Sequence, residues 1–364
     1  MSPSESDAPP RSDGGDITGG EDLFTQRAAD SVEESYTVLL RRWARSFIYA
    51  PIMAAWDDWR TRVGGLILLF YISLPTIGVW ITPAPQPFRH GLNMAPFQPG
   101  WFTWTSVNVF GLSVPWFELS AALGSNATGQ SMEALLIYGS VPIFKMIISG
   151  AVFAAFLGTF IGVFAGYKGG RIDGVLMTIT DVVLTVPGTA LIVVLAAVWR
   201  PENAWGVGII LGIDNWPGLA RTVRSQVLSF REESVVEAHR ALGLSTRTIL
   251  RRDMISPLMP YISINFAGGA RGIIFESVGL YFIGILPYTN ENWGVILNSS
   301  YDNISVTNPN TFYYLFEPML IISGLTFGLI LFAQGLDQVF NVRLQARHEA
   351  QDQDKEQGAQ AIDN

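Results

Sequence analysis

The chain has 364 residues, of which 49% are hydrophobic and 15% are charged, and its formal net charge is -8. Soluble domains carry about a quarter charged residues, so this composition indicates a membrane protein. The chain contains no cysteine, which excludes disulfides, thiolate metal sites and cysteine nucleophiles. Its three histidines show no metal-ligand spacing, so no metal site is predicted.

The residues before the first apolar segment fall into two parts. Residues 1–35 carry nine Asp or Glu against two Arg, which predicts a disordered acidic tail. Residues 36–62 mix apolar side chains with Arg, which favours an amphipathic helix on the cytoplasmic membrane face, with a plain juxtamembrane linker as the alternative. No basic n-region precedes the first apolar run, so we expect that run to remain as a span.

Six segments approach the roughly 20 mostly apolar residues that a helix needs to cross a membrane. Pro75 predicts a kink in the first, while Asp214 and the run Trp216-Pro217-Gly218 interrupt the fourth. The predicted fold is therefore an all-α polytopic membrane protein with six transmembrane helices. The predicted spans are residues 63–81, 146–167, 172–199, 203–220, 260–285 and 318–336.

The distribution of Lys and Arg predicts how these spans are oriented. Nineteen of these residues fall in the two terminal segments, the 168–171 turn and segment 221–253, against three in the loops on the other side. Because cytoplasmic loops are enriched in Lys and Arg, both termini are expected in the cytoplasm. The loop at 83–140 is then extracytoplasmic, and residues 338–364 form a second acidic tail. Acidic tails in a chain with twenty Arg and three Lys are typical of a halophilic prokaryote, with this chain in its cell membrane.

The cytoplasmic segment between the fourth and fifth spans, residues 221–256, has the pattern of two helices. Apolar residues recur at helical spacing as far as Leu242, Gly243 suits the left-handed position that ends a helix, and Ser245 can cap a second helix. The segment presents Leu and Ile beside seven Arg. We expect it to dock into a groove on a partner, or else to pack on the ends of the chain's own spans.

Within this segment, Glu237-Ala238-His239-Arg240-Ala241-Leu242-Gly243 resembles the Glu-Ala-Ala-x-x-x-Gly signature of permease subunits of ATP-binding-cassette importers. The signature helix pair docks on the ATPase in that family, so the resemblance implies an ATPase-coupling role for Glu237, Ala238, His239, Arg240, Leu242 and Gly243. Further motifs between about 120 and 345 are similar to the dipeptide, oligopeptide and nickel branch. These motifs are Gly166-Tyr167-Lys168-Gly169-Gly170, Asp181-Val182-Val183-Leu184 with Pro187, Trp216-Pro217-Gly218-Leu219-Ala220-Arg221, Glu276, Phe282-Ile283-Gly284 and Trp293-Gly294.

The resemblance implies a type I importer permease fold over residues 141–337 and alternating access as the mechanism. It also implies the partners: two ATPase subunits, a sister permease that forms a heterodimer with this chain, an extracytoplasmic substrate-binding protein and the lipid bilayer, with no nucleic acid. The phosphate-binding motif Gly-x-x-x-x-Gly-Lys-Ser/Thr does not occur in the chain. ATP and Mg²⁺ are therefore expected on the partner ATPases, and this chain is expected to be neither an enzyme nor a cofactor-binding protein.

Four charged residues lie within or beside apolar spans, where charge is costly and indicates function by default. Asp181, Arg271 and Glu276 are predicted to line the translocation path or the subunit interface, with structural pairing inside the bundle as the alternative. Asp214 is expected in a broken, water-accessible segment. Glycines 268, 269 and 272 are expected to allow close helix contact around Arg271.

Together these features predict a permease subunit that forms the translocation path of an ATP-driven importer for peptides, with nickel or another solute left open. A second hypothesis is a secondary transporter driven by H⁺ or Na⁺, with Asp181, Asp214 and Glu276 as the ion relay. That hypothesis gives the cytoplasmic helix pair no role, and the internal repeat common in such transporters is not evident in the sequence. A membrane scaffold without transport activity is the third.

Overall fold

The computed structural model describes residues 58–99, 101–109, 112–119, 121–231, 254–286, 291–303 and 311–362. The predicted tail at 1–35 and most of the predicted helix region at 36–62 lie outside them. The described ranges contain ten α-helices, a π-helical turn and a two-stranded sheet. In chain order these are α1 (Trp59–Ser73), the π turn (Leu74–Gly78), α2 (Val79–Ile81), β1 (Phe102–Val109), β2 (Leu112–Leu119), α3 (Met132–Lys168), α4 (Gly170–Thr185), α5 (Gly188–Trp199), α6 (Ala204–Leu211), α7 (Trp216–Arg231), α8 (Ser256–Phe282), α9 (Trp293–Asn303) and α10 (Tyr313–Ile362).

The two-stranded sheet corrects the prediction of an all-α fold. Strands β1 and β2 are antiparallel, and their register runs from Phe102 opposite Leu119 to Val109 opposite Leu112. β-Branched and aromatic residues make up six of the eight residues of β1 and three of the eight of β2, and only two residues separate the strands, which favours a β-hairpin. The hairpin lies within the predicted loop at 83–140, so the fold is mostly helical with one small sheet.

The first apolar helix changes its geometry at Pro75. Asp58 caps the start of α1, where its side chain accepts a hydrogen bond from the Arg60 amide at 3.4 Å. Pro75 has no amide hydrogen for an α-helical bond, and the chain widens there into the π turn. The irregularity predicted at Pro75 is therefore present as a π turn.

Three of the described helical stretches are long and apolar enough to cross a membrane: Trp59–Ile81, Met132–Lys168 and Tyr313–Gln338. They contain the predicted first, second and sixth spans. Helix α3 has 37 residues and a length of about 55 Å, so it extends well beyond the apolar run that predicted it. The backbone of α10 stays helical to Ile362, so the helix continues through most of the predicted acidic tail at 338–364.

The predicted span 172–199 is wrong as a single straight helix. Helices α4 and α5 are bent relative to each other by 91°. Pro187 disfavours helical backbone in the residue before it, and Val186 has the extended dihedral angles φ -80° and ψ 128°. With 16 and 12 residues respectively, neither α4 nor α5 reaches the length of a straight span.

The predicted span 203–220 is also divided. Helix α6 ends at Leu211, α7 begins at Trp216, and residues 212–215 form a turn that contains Asp214. The interruption predicted at Asp214 is therefore confirmed. The run from Trp216 to Gly218 is the first turn of α7 and not a break, since Pro fits the first turn of a helix. The predicted span 260–285 corresponds to α8, whose 27 residues extend about 40 Å.

Helix α3 packs against α6, α7 and α8 and is the central helix of the bundle. Two of its glycines bring backbones into contact. A Cβ atom on Gly150 would overlap the Gly208 carbonyl of α6, and one on Gly162 would lie 2.5 Å from the Ala220 carbonyl oxygen of α7. Real Cβ atoms essentially never come this close to another atom, so only glycine allows this separation of the helices.

Candidate functional site

The predicted ATPase-coupling residues lie outside the described residues; these are Glu237, Ala238, His239, Arg240, Leu242 and Gly243. The structure describes helix α7, which leads into their segment and ends at Arg231, and the chain again from Met254. The candidate site therefore consists of the polar contacts that α7 makes along its length and at its start.

Helix α7 has an apolar stripe beside a basic one. Val223 and Val227 are fully buried in a cluster with residues of α3 and α8. Arg221, Arg224 and Arg231 lie within about 80° of one another around the helix axis, at 3.6 residues per turn. The three Arg therefore share one face of α7, next to the face that packs against α3.

Arg224 forms a bidentate ion pair with Asp173 in the first turn of α4. The Arg224 Nε donates to Oδ1 of Asp173 at 2.9 Å, and Nη2 donates to Oδ2. The Arg and Asp side chains are 33% and 14% exposed, so the pair is largely shielded from water. Two parallel charge-assisted bonds make this the strong form of the Arg–carboxylate contact.

Arg221, one helical turn earlier, pairs with Asp181 towards the end of α4. Both side chains are more than half exposed, at 58% and 57%, and exposed pairs of this kind contribute only about 0–1 kcal/mol. This contact is the structural pairing that we stated as the alternative for Asp181, whose place in a translocation path stays a prediction. Arg231 adds a long hydrogen bond of 3.5 Å to the Gly166 carbonyl of α3.

A polar cluster lies where α7 begins. The Asn215 Nδ2 donates to Oδ1 of Asp214 at 2.9 Å. A Cβ atom on Gly272 would lie 3.6 Å from Oδ1 of Asn215, which places the 212–215 turn beside α8. Gly188, the first residue of α5, lies against the same Asp214 carboxyl, where a Cβ atom would overlap Oδ2. The cluster therefore joins the start of α5, the turn before α7 and the middle of α8.

The other predicted site residues of α8 lie in more open surroundings. Arg271 is exposed, whereas Glu276 is only partly exposed. The predicted close contact at Gly268 and Gly269 is wrong within the described part of the chain, because a Cβ atom on either would meet nothing within 4 Å. Both glycines instead line an open cavity of about 200 Å³ that is shared with Asn215 and residues of α3.

Asp173, Arg221 and Arg224 were not among the predicted site residues. The two ion pairs join residues 51 and 40 positions apart, and a single sequence does not reveal such pairings. A signal for them was nevertheless present. Arg221 and Arg224 lie one helical turn apart after the predicted span 203–220. Asp173 and Asp181 are eight residues apart and therefore lie on one side of α4.

Comparisons with known proteins agree with this architecture. The family model described as "Binding-protein-dependent transport system inner membrane component" matches residues 158–345, which is more than half of the chain. The dipeptide transport system permease protein DppC of Bacillus subtilis is 26% identical over 302 residues, which cover 79% of this chain and 85% of that protein. The oligopeptide transport system permease protein OppC of Haemophilus influenzae is 25% identical over 292 residues, which cover 78% and 84%.

A solved chain of the MetNI methionine ABC transporter in an inward-facing conformation is also similar. It is 16% identical with a TM-score of 0.39, and the match covers 56% of this chain and 96% of that one. A likeness this low carries no argument, and the family model and the two permeases are sufficient without it. The chain belongs to the family of binding-protein-dependent transport system inner membrane components.

Proposed function

We propose that this chain is one of two membrane-spanning subunits of an ATP-driven peptide importer and forms part of the path along which the peptide crosses the membrane. The family match over residues 158–345 is the observation that carries the proposal, since it extends from within α3 into α10. The relatives DppC and OppC are permeases of dipeptide and oligopeptide transport systems, which supports a peptide as the substrate.

In this proposal the chain has the six-span type I importer fold, with both termini in the cytoplasm of a prokaryote and the chain in its cell membrane. The three apolar helices supply three spans, and α8 is long enough for a fourth. The bent pair α4–α5 and the pair α6–α7 each form a broken span. The polar residues of α8 suit a helix that faces protein or a water-lined path and not lipid.

ATP binding and hydrolysis take place on two partner ATPases in this proposal, and their movement enters the chain through the residues Glu237 to Gly243. The bundle then alternates between access from outside and access from inside. A sister permease completes the path, and a substrate-binding protein delivers the peptide from outside. Arg271 and Glu276 line the path or the interface with the sister permease, next to the cavity at Gly268 and Gly269.

Reconstitution of the complex tests this proposal. The complex is purified in mild detergent through a tag on this chain, placed in liposomes with its binding protein and assayed for uptake of labelled peptide. We expect uptake that requires ATP, and we expect Glu237→Arg to release the ATPases from the complex. Glu202→Arg is the matched control, because it makes the same charge change at an exposed residue between α5 and α6.

An ion gradient is the energy source that would contradict the proposal. Peptide uptake that continues without ATP and stops when an H⁺ or Na⁺ gradient is removed would favour a secondary transporter. In that outcome Asp181, Asp214 and Glu276 would be the carboxyl groups available to carry the ion.

A further inference from the structure

We infer that the two ion pairs between α4 and α7 form a latch through which displacement of α7 moves the bent helix pair α4–α5. Asp173, Arg224, Asp181 and Arg221 are then positioning residues for transport. The inference rests on the proposed function, because the displacement comes from the partner ATPases. Helix α7 ends at Arg231, and the segment that follows contains the residues proposed to contact those ATPases.

The packing of α7 on α3 makes these two helices move together. Val223 and Val227 are fully buried in their interface. A Cβ atom on Gly162 would lie 2.5 Å from the Ala220 carbonyl oxygen, and one on Gly166 would lie 2.9 Å from the Val227 side chain. Backbones in contact over two turns leave no room for sliding, so a force on the end of α7 reaches α3 as a rigid-body movement.

Helix α4 is attached to the bundle in a different way. Of its 16 residues, all of them described, only Thr180 is buried, and Val175 and Val182 are among those that are exposed. Apolar burial within the chain therefore contributes little to holding α4, through the partly buried Val183, which packs against residues of α3 and α7. The Asp173–Arg224 pair lies in its first turn and the Asp181–Arg221 pair towards its last. Because two attachment points fix the direction of a helix and one does not, the ion pairs set the tilt of α4 relative to α7.

The tilt of α4 has a direct structural consequence at its far end. Helix α4 ends at Thr185, and the extended residue Val186 and Pro187 form the 91° bend into α5. The first residue of α5, Gly188, lies against Asp214 in the polar cluster before α7. A change in the tilt of α4 therefore changes the bend and the position of α5 beside that cluster.

Charge reversal and its compensation test the latch in the reconstituted complex. The variants are Asp173→Arg, Arg224→Asp and the double variant with both changes, and the same set at Asp181 and Arg221. Arg171→Asp is the matched control, since it reverses an exposed charge on α4 outside the two pairs. The measurements are peptide uptake and ATP hydrolysis in the same liposomes, expressed as ATP hydrolysed per peptide transported.

We expect each single reversal at Asp173 or Arg224 to raise the ATP hydrolysed per peptide about tenfold, within the range of typical coupling between two sites. The double variant is expected to restore most of the loss, and Arg171→Asp to leave the ratio unchanged. The changes at Asp181 and Arg221 are expected to be smaller, because that pair is more exposed. A structural role alone would reduce the amount of complex and leave the ratio unchanged.

Three results would overturn the latch. They are unchanged coupling in both single variants, a double variant that assembles but stays uncoupled, and an equal loss in Arg171→Asp. If a reversal prevents assembly, Asp173→Asn and Arg224→Lys replace it, and unchanged coupling in both of these would also reject the latch. Failure of the proposed function is recognised separately, because the unmodified complex would then show no ATP-driven peptide uptake.

Discussion

Replacement of Gly162 by alanine adds one methyl group where α3 and α7 are in backbone contact. The new Cβ atom would lie 2.5 Å from the Ala220 carbonyl oxygen and 2.7 Å from the Val223 Cβ. Ordinary van der Waals contact begins at 3.4 Å, so the carbonyl oxygen has to retreat from 2.5 Å by about 0.9 Å. That oxygen belongs to a helical backbone and not to a flexible side chain, so α7 has to move as a whole.

The cost of this movement can be set against the gain in helix propensity. Overpacking of a well-packed interface costs about 1–3 kcal/mol. Alanine is a better helix former than glycine and offsets about 1 kcal/mol of that cost. We therefore expect Gly162→Ala to lower the free energy of unfolding by up to about 2 kcal/mol. At roughly 2–4 °C per kcal/mol for domains of 150–250 residues, the melting temperature falls by up to about 8 °C.

Circular dichroism of the purified subunit during heating in detergent measures this effect. Gly174→Ala is the control, because it adds the same methyl group inside α4, where a Cβ atom would meet nothing within 4 Å. That variant is expected to melt at the original temperature or slightly above it. A Gly162→Ala variant as stable as Gly174→Ala would refute the close approach of α3 and α7 and, with it, their movement as one body.

Two further predictions concern the buried indole and the topology. Trp293 is fully buried, and its Nε1 donates a hydrogen bond to the Leu136 carbonyl at 2.8 Å. Trp293→Phe is therefore expected to lower the free energy of unfolding by about 1–2 kcal/mol. Trp80→Phe, at a position that is 90% exposed, is the neutral control in the same melting assay. The chain has no cysteine, so single-cysteine variants report topology directly. In intact cells a membrane-impermeant maleimide is expected to label Glu202→Cys but not Arg171→Cys, and the reverse pattern would reject the proposed orientation.

The apolar runs of the sequence predicted α1, α3 and α10. The length of an apolar run can be read from the sequence alone, because it does not depend on which residues the helix contacts. Helix α3 has small or apolar residues both on the face that packs against other helices and on an exposed face. Its glycines face α6 and α7, and the stacked side chains of Phe156, Phe160 and Phe164 are exposed on another face. The length of an apolar run does not reveal a change of direction inside it. Pro187 was the local signal for the 91° bend, and the run was nevertheless interpreted as one span.

The contacts of the candidate site could not be predicted from a single sequence, for a different physical reason. Asp181 was singled out because charge in an apolar span is costly, which is a local property. Its pairing with Arg221 depends on how two helices cross, which the sequence of neither helix specifies. The hairpin at 102–119 was a missed local pattern. Strand β1 is rich in β-branched and aromatic residues, and only two residues separate it from β2, but both strands lie in a region that was predicted only as an extracytoplasmic loop.

Two kinds of contact hold the bundle together. Backbone contacts at glycines fix the position of one helix on another, whereas ion pairs hold a helix through its side chains. A Cβ atom on Gly64 of α1 would lie 2.5 Å from the Phe332 amide of α10, so these helices are in backbone contact, as α3 and α7 are at Gly162. Helix α4 is held to α7 mainly by the two ion pairs, which a charge reversal removes without adding atoms to the backbone contacts. Glycine substitutions at the backbone contacts should therefore lower the melting temperature with little effect on the ATP hydrolysed per peptide. Reversal of Asp173 should do the opposite, and a variant set that failed to separate these two effects would show that the bundle moves as a single body.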